Sequence, residues 1–286
     1  IRAGKNVLCE KPFCLTIEEG ITVCQEAEAK GVSLMVGESY VFMSSIVKAR
    51  ELIDTGHIGK PQQIRQRFGA WVERHGAMDS IQGSNAKNQA WRMDSAKAGG
   101  NGFPLMFDHC VHFFAAAEYL MRDTRIKEIY SMSSNSSQLR AQYEHNNMPG
   151  YELIGDIDVP IMTWKYEDDT CQGVWMRAEY LNGKYDSMNG FSMIVSGESG
   201  MIELLGEGGG GLQWNGEQVH LVLHRRGEET VTMRFDEGED EIWESEVSYY
   251  SQAHTNQIHE FVDSLTEGRQ SRYSGRDGRR ACHATG

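Results

Sequence analysis

Apolar and polar positions change their period along this chain. Within the first sixty residues, short apolar runs alternate with amphipathic stretches. Val7, Leu8 and Cys9 read as a buried strand, and Ile21, Val23, Cys24 and Ala27 recur at helical spacing. Thr16 with Glu19 three residues later is a capping-box signature that opens this helix, and Gly31 is suited to close it. Residues 32–36 form a second apolar run. Ser44 and Ser45 then stand as N-caps of a second helix carrying Ile46, Val47, Ala49, Leu52 and Ile53, with Gly56 at its end. Strand–helix–strand–helix at this spacing predicts parallel strands joined by crossover helices, the closing part of an α/β domain.

Beyond Gly59-Lys60-Pro61 the pattern becomes that of an α+β domain. Residues 63–72 alternate as a strand does, residues 73–100 form a polar connection, and residues 103–121 are the most apolar long segment and predict a buried helix. Strand-like runs follow near 126–132, 159–165, 171–180, 190–196, 200–205, 217–224 and 229–235. Asn182-Gly183, Asn189-Gly190, Asn215-Gly216 and Arg226-Gly227 mark turns between them. A helical pattern returns over 250–265, and the last residues carry no evident terminal element. The expected architecture is α/β plus α+β: the C-terminal remnant of a Rossmann domain over 1–59, then a domain over 60–286 with a large, mostly antiparallel open sheet flanked by helices. An apolar strand at the very start, without an initiator methionine, is the expectation for a fragment cut at both ends.

Composition narrows the function classes. The 286 residues are 40% hydrophobic and 24% charged, which excludes wholesale disorder. A net charge of −13 argues against nucleic acid or an anionic membrane as partner. No apolar run approaches the roughly 20 residues of a membrane-spanning helix. Six scattered cysteines without a C-x-x-C read as reduced thiols and favour the cytoplasm.

Three segments carry candidate chemistry. Residues 206–211 match G-x-G-x-x-G, but strand-like residues and a turn follow where a phosphate-binding helix is required, so this is a glycine-rich hairpin loop. Asp108 and His112 lie four apart in the apolar helix and share a face, where a carboxylate beside an imidazole suits general-base work; a satisfied buried pair fits equally well. His109 points away from Asp108, and no remote ligand pair supports a metal site. Glu10-Lys11-Pro12 directly follows a strand, where open parallel sheets bind ligands, and a cis bond at Pro12 is one way to aim the preceding side chain; an exposed turn is the plain alternative.

Taken together, these motifs resemble the glucose–fructose oxidoreductase / inositol dehydrogenase (Gfo/Idh/MocA) family. The run from Ala3 to Pro12 is similar to its A-G-K-x-V-L-C-E-K-P segment, and Gly56 to Pro61 to its link into the second domain. Trp91-Arg92, then Gly99-Gly100 through Asp108 and His112, follow its motif order, and Glu260 to Leu265 with Gly275 to Arg280 resemble its C-terminal helix and tail. The resemblance implies an oxidoreductase that uses NAD or NADP on a sugar, polyol or related hydroxy compound. It implies Lys11 and His112 at the reacting carbon, His112 as proton acceptor, and Asp108 orienting His112 or holding substrate. It also implies Glu10, Lys11, Trp91 and Arg92 near the cofactor. Cys110 stands where the family usually has glycine, and Met43 replaces the arginine of a related Glu38–Met43 stretch. The family's glycine fingerprint belongs upstream of this sequence.

Two other classes stand beside this expectation. A carbohydrate-binding or assembly protein would keep the fold without needing Lys11, Asp108 and His112, and a metal-dependent hydrolase or isomerase would use Asp108, His109 and His112. The apolar residues of 126–235 exceed what one sheet face needs, which predicts helices on one face and a second subunit on the other, in a homodimer or homotetramer. Tyr249 and Tyr250 are further candidates to line the site.

Overall fold

The computed structural model describes residues 1–68, 95–99, 104–136, 157–177, 192–206, 219–235 and 249–285. Trp91, Arg92, residues 100–103, the turns at 182–183, 189–190 and 215–216, and residues 207–211 of the glycine tract lie outside them, as do the side chains of Tyr249 and Tyr250.

Two strands, β1 (Val7–Glu10) and β2 (Leu34–Gly37), pair in parallel, connected by α1 (Ile17–Lys30). The capping box forms as the sequence predicts: Glu19 N–H donates to Thr16 Oγ1 at 3.2 Å, Thr16 N–H donates to Glu19 Oε2 at 3.3 Å, and Gly31 closes the helix with a left-handed φ of 62°. A 3₁₀ turn (Ser39–Phe42) leads into α2 (Ser44–Asp54). Here the expected serine cap is corrected. Met43 is the N-cap, without a side-chain hydrogen bond, because its buried side chain and its N–H bond to the Tyr40 carbonyl at 3.1 Å already fix the entry of the helix.

The second sheet begins with β3 (Pro61–Phe68). After a short helix α3 (Ser95–Ala98) and the long α4 (Pro104–Leu120), it continues with β4 (Ile126–Ser136), β5 (Ile157–Tyr166), β6 (Gln172–Arg177), β7 (Ser192–Gly197), β8 (Gly200–Leu205), β9 (His220–Arg225) and β10 (Val231–Arg234). The strand order is β10-β9-β8-β7-β3-β6-β5-β4, antiparallel at every step except the parallel pair β3–β6. The period-2 alternation sends Leu221, Leu204, Met193 and Trp175 to one face in register, and all four are buried. Helix α4 lies on that face. Its Phe113 and Phe114 meet Trp175 and Trp164 with ring centroids 5.5 and 5.3 Å apart, contacts worth about 0.5–1.5 kcal/mol each beyond their burial. Gln66, buried among these rings, donates to the Phe113 carbonyl at 2.8 Å.

Helix α5 (Tyr249–Glu267) returns to the parallel pair, and α6 (Gly275–Thr285) ends the description. The expectation of no terminal element is therefore corrected. Ser274 and Asp277 start α6, the Asp277 carboxylate accepting Ser274 N–H at 2.7 Å and its hydroxyl at 2.6 Å. A Cβ added at Gly275 would lie 2.5 Å from Leu34, and one at Gly278 would lie 2.6 Å from Val36. Glycine reads as a helix breaker in the sequence, yet here it lets α6 press against β2. All six cysteines are free. Among the described residues no helix is long and apolar enough to cross a membrane.

Candidate active site

Lys11 and Glu38 occupy matching places on neighbouring strands. Glu10 ends β1 and stands in register with Gly37, which ends β2, so Lys11 and Glu38 are the next residues past the carboxyl edge of the parallel pair. Ligands of open parallel sheets bind at that edge. Lys11 Nζ donates to Asp108 Oδ1 at 3.0 Å and to the Asp108 carbonyl at 3.2 Å. Glu38 Oε1 meets His112 Nδ1. Asp108 and His112 stand one turn apart on α4, with Cβ atoms at a spacing of about 5–6 Å. Adjacent strands lie about 4.8 Å apart, so one helix turn spans the two strand ends and each end reaches its own partner.

These contacts revise the expected pairing. The carboxylate on His112 Nδ1 is Glu38, from β2, rather than Asp108 from the preceding turn, and the Asp108 carboxylate binds the Lys11 ammonium. The Asp108 side chain is 3% exposed against 16% for Lys11, so the carboxylate is the more deeply enclosed partner. Burying a carboxylate is costly unless it is paired, and both Asp108 and Glu38 are paired. Tyr40 stacks on His112 with ring centroids 4.5 Å apart and planes 16° apart, and Phe113 meets the edge of Tyr40 at 5.5 Å. The Lys11–Pro12 peptide is cis. Among the described residues no group of three His, Cys, Asp or Glu is arranged to hold a metal ion.

Glu10 and Gly37 end the two parallel strands beside Gln257. Gln257, from α5, is 3% exposed and donates to Glu10 Oε1 at 3.5 Å. Its own Oε1 has no hydrogen-bond partner among the described residues. A Cβ added at Gly37 would lie 3.1 Å from Gln257 Nε2 and 3.2 Å from Glu10 Oε1, so the glycine lets both side chains pack closely against this strand end. An orphaned amide oxygen at the end of a parallel strand pair fits a carboxamide-bearing ring. The site thus brings together Glu10, Lys11, Asp108 and His112 from the sequence reading, and adds Glu38, Tyr40 and Gln257. Glu38 carried a usable signal in the sequence, since it follows its apolar strand as Glu10 and Lys11 follow theirs.

Known proteins share the sequence pattern and fold of this chain. Residues 50–284 match the family described as "Oxidoreductase family, C-terminal alpha/beta domain", and residues 1–38 match "Oxidoreductase family, NAD-binding Rossmann fold". A 2,7-anhydro-N-acetylneuraminate hydratase of Escherichia coli strain K12 is 24% identical over 241 residues, covering 80% of this chain and 54% of the relative. A D-xylose dehydrogenase of Paenarthrobacter nicotinovorans is 37% identical over 70 residues, 24% of this chain and 18% of that protein. The chain thus spans about half, or less, of the length of these curated relatives. The crystal structure of an inositol dehydrogenase homolog complexed with NAD+ from Azotobacter vinelandii superposes with a TM-score of 0.69 at 20% identity, covering 99% of this chain and 69% of that one. With one family match over residues 50–284 and a second over 1–38, the chain belongs to the Gfo/Idh/MocA oxidoreductase family.

Proposed function

We propose that the full-length protein is a nicotinamide-dependent oxidoreductase acting on a CH–OH group, or the matching carbonyl, of a sugar, polyol or related hydroxy compound. The observation that carries this reading is the pair of contacts Lys11–Asp108 and Glu38–His112, set side by side at the carboxyl edge of the parallel strands. When bound, the nicotinamide supplies the hydride acceptor or donor. Glu10, Lys11 and Gln257 are the described residues that would hold its ring, and the family resemblance adds Trp91 and Arg92. His112 takes the proton of the substrate hydroxyl in oxidation and returns it in reduction. The Lys11 ammonium donates to the same oxygen and stabilises the negative charge that grows there, while Asp108 keeps the ammonium aimed. We assign residues 1–59 to the cofactor-binding domain and 60–286 to the substrate domain. NAD(H) and NADP(H) are both admitted by the residues at hand, and the named relatives that act on D-xylose and on 2,7-anhydro-N-acetylneuraminate support a carbohydrate-like substrate.

The test is turnover by the full-length native protein with NAD and NADP across a panel of sugars and polyols. Lys11→Ala and His112→Ala are each expected to lower kcat by about 10²–10⁴-fold, and cofactor binding persists in His112→Ala. Absence of both turnover and cofactor binding in the folded protein would overturn the reading in favour of a carbohydrate-binding or assembly role.

The open face of the large sheet supports a second part of the proposal, association of the chain with itself. Met132, Ile161 and Met176 stand in register on β4, β5 and β6, exposed by 74%, 43% and 38%, with Tyr130 at 60% on the same strand as Met132. A row of exposed apolar side chains on one sheet face fits a self-complementary contact in a homodimer or homotetramer.

A further inference from the structure

We propose that Glu38 is the positioning residue of His112, fixing its ring so that Nδ1 carries the hydrogen and Nε2 faces the substrate as the bare acceptor. This rests on the assignment of His112 as proton acceptor. Glu38 is 1% exposed, and the proton-transfer scheme above gives its carboxylate no task. One oxygen, Oε1, takes the backbone N–H of Tyr40 at 3.2 Å and also meets His112 Nδ1. An ionised carboxylate oxygen has only lone pairs to offer, so the imidazole must be the donor in that contact. A neutral ring that donates from Nδ1 has its free lone pair on Nε2.

The remaining freedoms of the ring are closed by other side chains. Tyr40 covers one face of the imidazole in a near-parallel stack, and Phe113 holds Tyr40 from its edge. The backbone of the same Tyr40 anchors the carboxylate, so residues 38 and 40 hold the ring both in its plane and across it. Asp108 is engaged by Lys11, which leaves the two carboxylates with separate tasks: Asp108 serves the cation and Glu38 serves the imidazole.

The experiment uses full-length protein labelled with ¹⁵N at histidine. Long-range ¹H–¹⁵N correlation reads the tautomer of His112, its signals being identified by their loss in His112→Gln. The expected wild-type pattern is a protonated Nδ1 and a bare Nε2. Glu38→Ala is expected to lose that pattern and lower kcat on the order of 10²-fold or more, with KM nearly unchanged. Glu38→Gln offers an amide oxygen to the same two N–H donors, so it keeps the tautomer and recovers about tenfold or more of the rate lost in Glu38→Ala. A wild-type His112 that carries its hydrogen on Nε2 would overturn the proposal, as would Glu38→Ala with the wild-type tautomer and rate. A wild type without turnover would defeat the oxidoreductase reading alone, since the tautomer comparison between wild type and Glu38→Ala still decides the role of Glu38.

Discussion

The Lys11 ammonium lies 3.0 Å from Asp108 Oδ1 and 3.2 Å from the Asp108 carbonyl, tying the end of β1 to the first turns of α4. Because the carboxylate is the more deeply buried of the two, the partners differ in what their loss does. Lys11→Met leaves a buried carboxylate uncompensated and is expected to cost about 3–5 kcal/mol in denaturant unfolding. Asp108→Asn removes the counter-charge but keeps an amide oxygen within reach of the ammonium, so it should cost less. Both variants should lose turnover. A double-mutant cycle in which the two stability losses simply add would show that the pair is not energetically coupled.

How much of this was legible in the sequence divides along physical lines. Local signals survived intact: the Thr16–Glu19 capping box, Gly31 as C-cap, the apolar α4 and the alternating strands all depend on neighbours within a few residues. The pairing of Asp108 with Lys11 and of His112 with Glu38 did not, because helix spacing reveals only which residues share a face of α4. It cannot show which strand ends meet that face, 97 and 74 residues away in the chain. Helix α6 was hidden for a related reason. Its glycines are unfavourable to an isolated helix, and the contact with β2 that selects them is visible only in the folded molecule.

That contact makes a stability prediction. Gly278→Ala would gain helix propensity on an isolated peptide, but its Cβ would sit 2.6 Å from Val36 Cγ2 and 3.2 Å from Phe13 Cβ. The crowding should win, costing about 1–3 kcal/mol. Val36→Ala in the same chain opens the space and should return part of the loss. A Gly278→Ala variant with a raised melting temperature would mean that α6 stands farther from β2 than described.

Helix α6 is also fastened to α4 through charge. Arg280 Nε donates to Glu118 Oε2 at 2.8 Å, and Glu118 Oε1 accepts the Ile126 N–H at 3.2 Å. Burial pushes the Glu118 carboxyl above its ordinary range, and Arg280 opposes that rise. A carboxyl with a raised folded-state value favours folding most where it is protonated, below its unfolded value of about 4.3, and loses that contribution as pH rises through the folded value. Arg280→Met removes the opposing charge, and the variant should lose about 3–5 kcal/mol at pH 8. The gap to wild type should narrow as pH falls towards 5. Melting curves at the two pH values test the sign: a gap that is constant or widens on acidification would show that Glu118 does not control it.

The exposed row on the large sheet supplies the last expectation. Ile161 stands between Met132 and Met176 in register, at the centre of the stripe on β4, β5 and β6. It faces away from the buried Trp164 and Trp175 side, so Ile161→Glu touches none of the aromatic packing against α4. Placed in a self-complementary contact, the new carboxylate would be desolvated without a cation and would be repeated on the opposing subunit. Association should therefore weaken by about 10²-fold or more, whereas the stability of the isolated fold should move by roughly 0.5 kcal/mol or less. Light scattering across a dilution series would show a dimer or tetramer for the native protein and a monomer for the variant. If the native protein is already a monomer at the highest concentration, the stripe is a surface with no second copy on it, and the assembly proposed here is wrong.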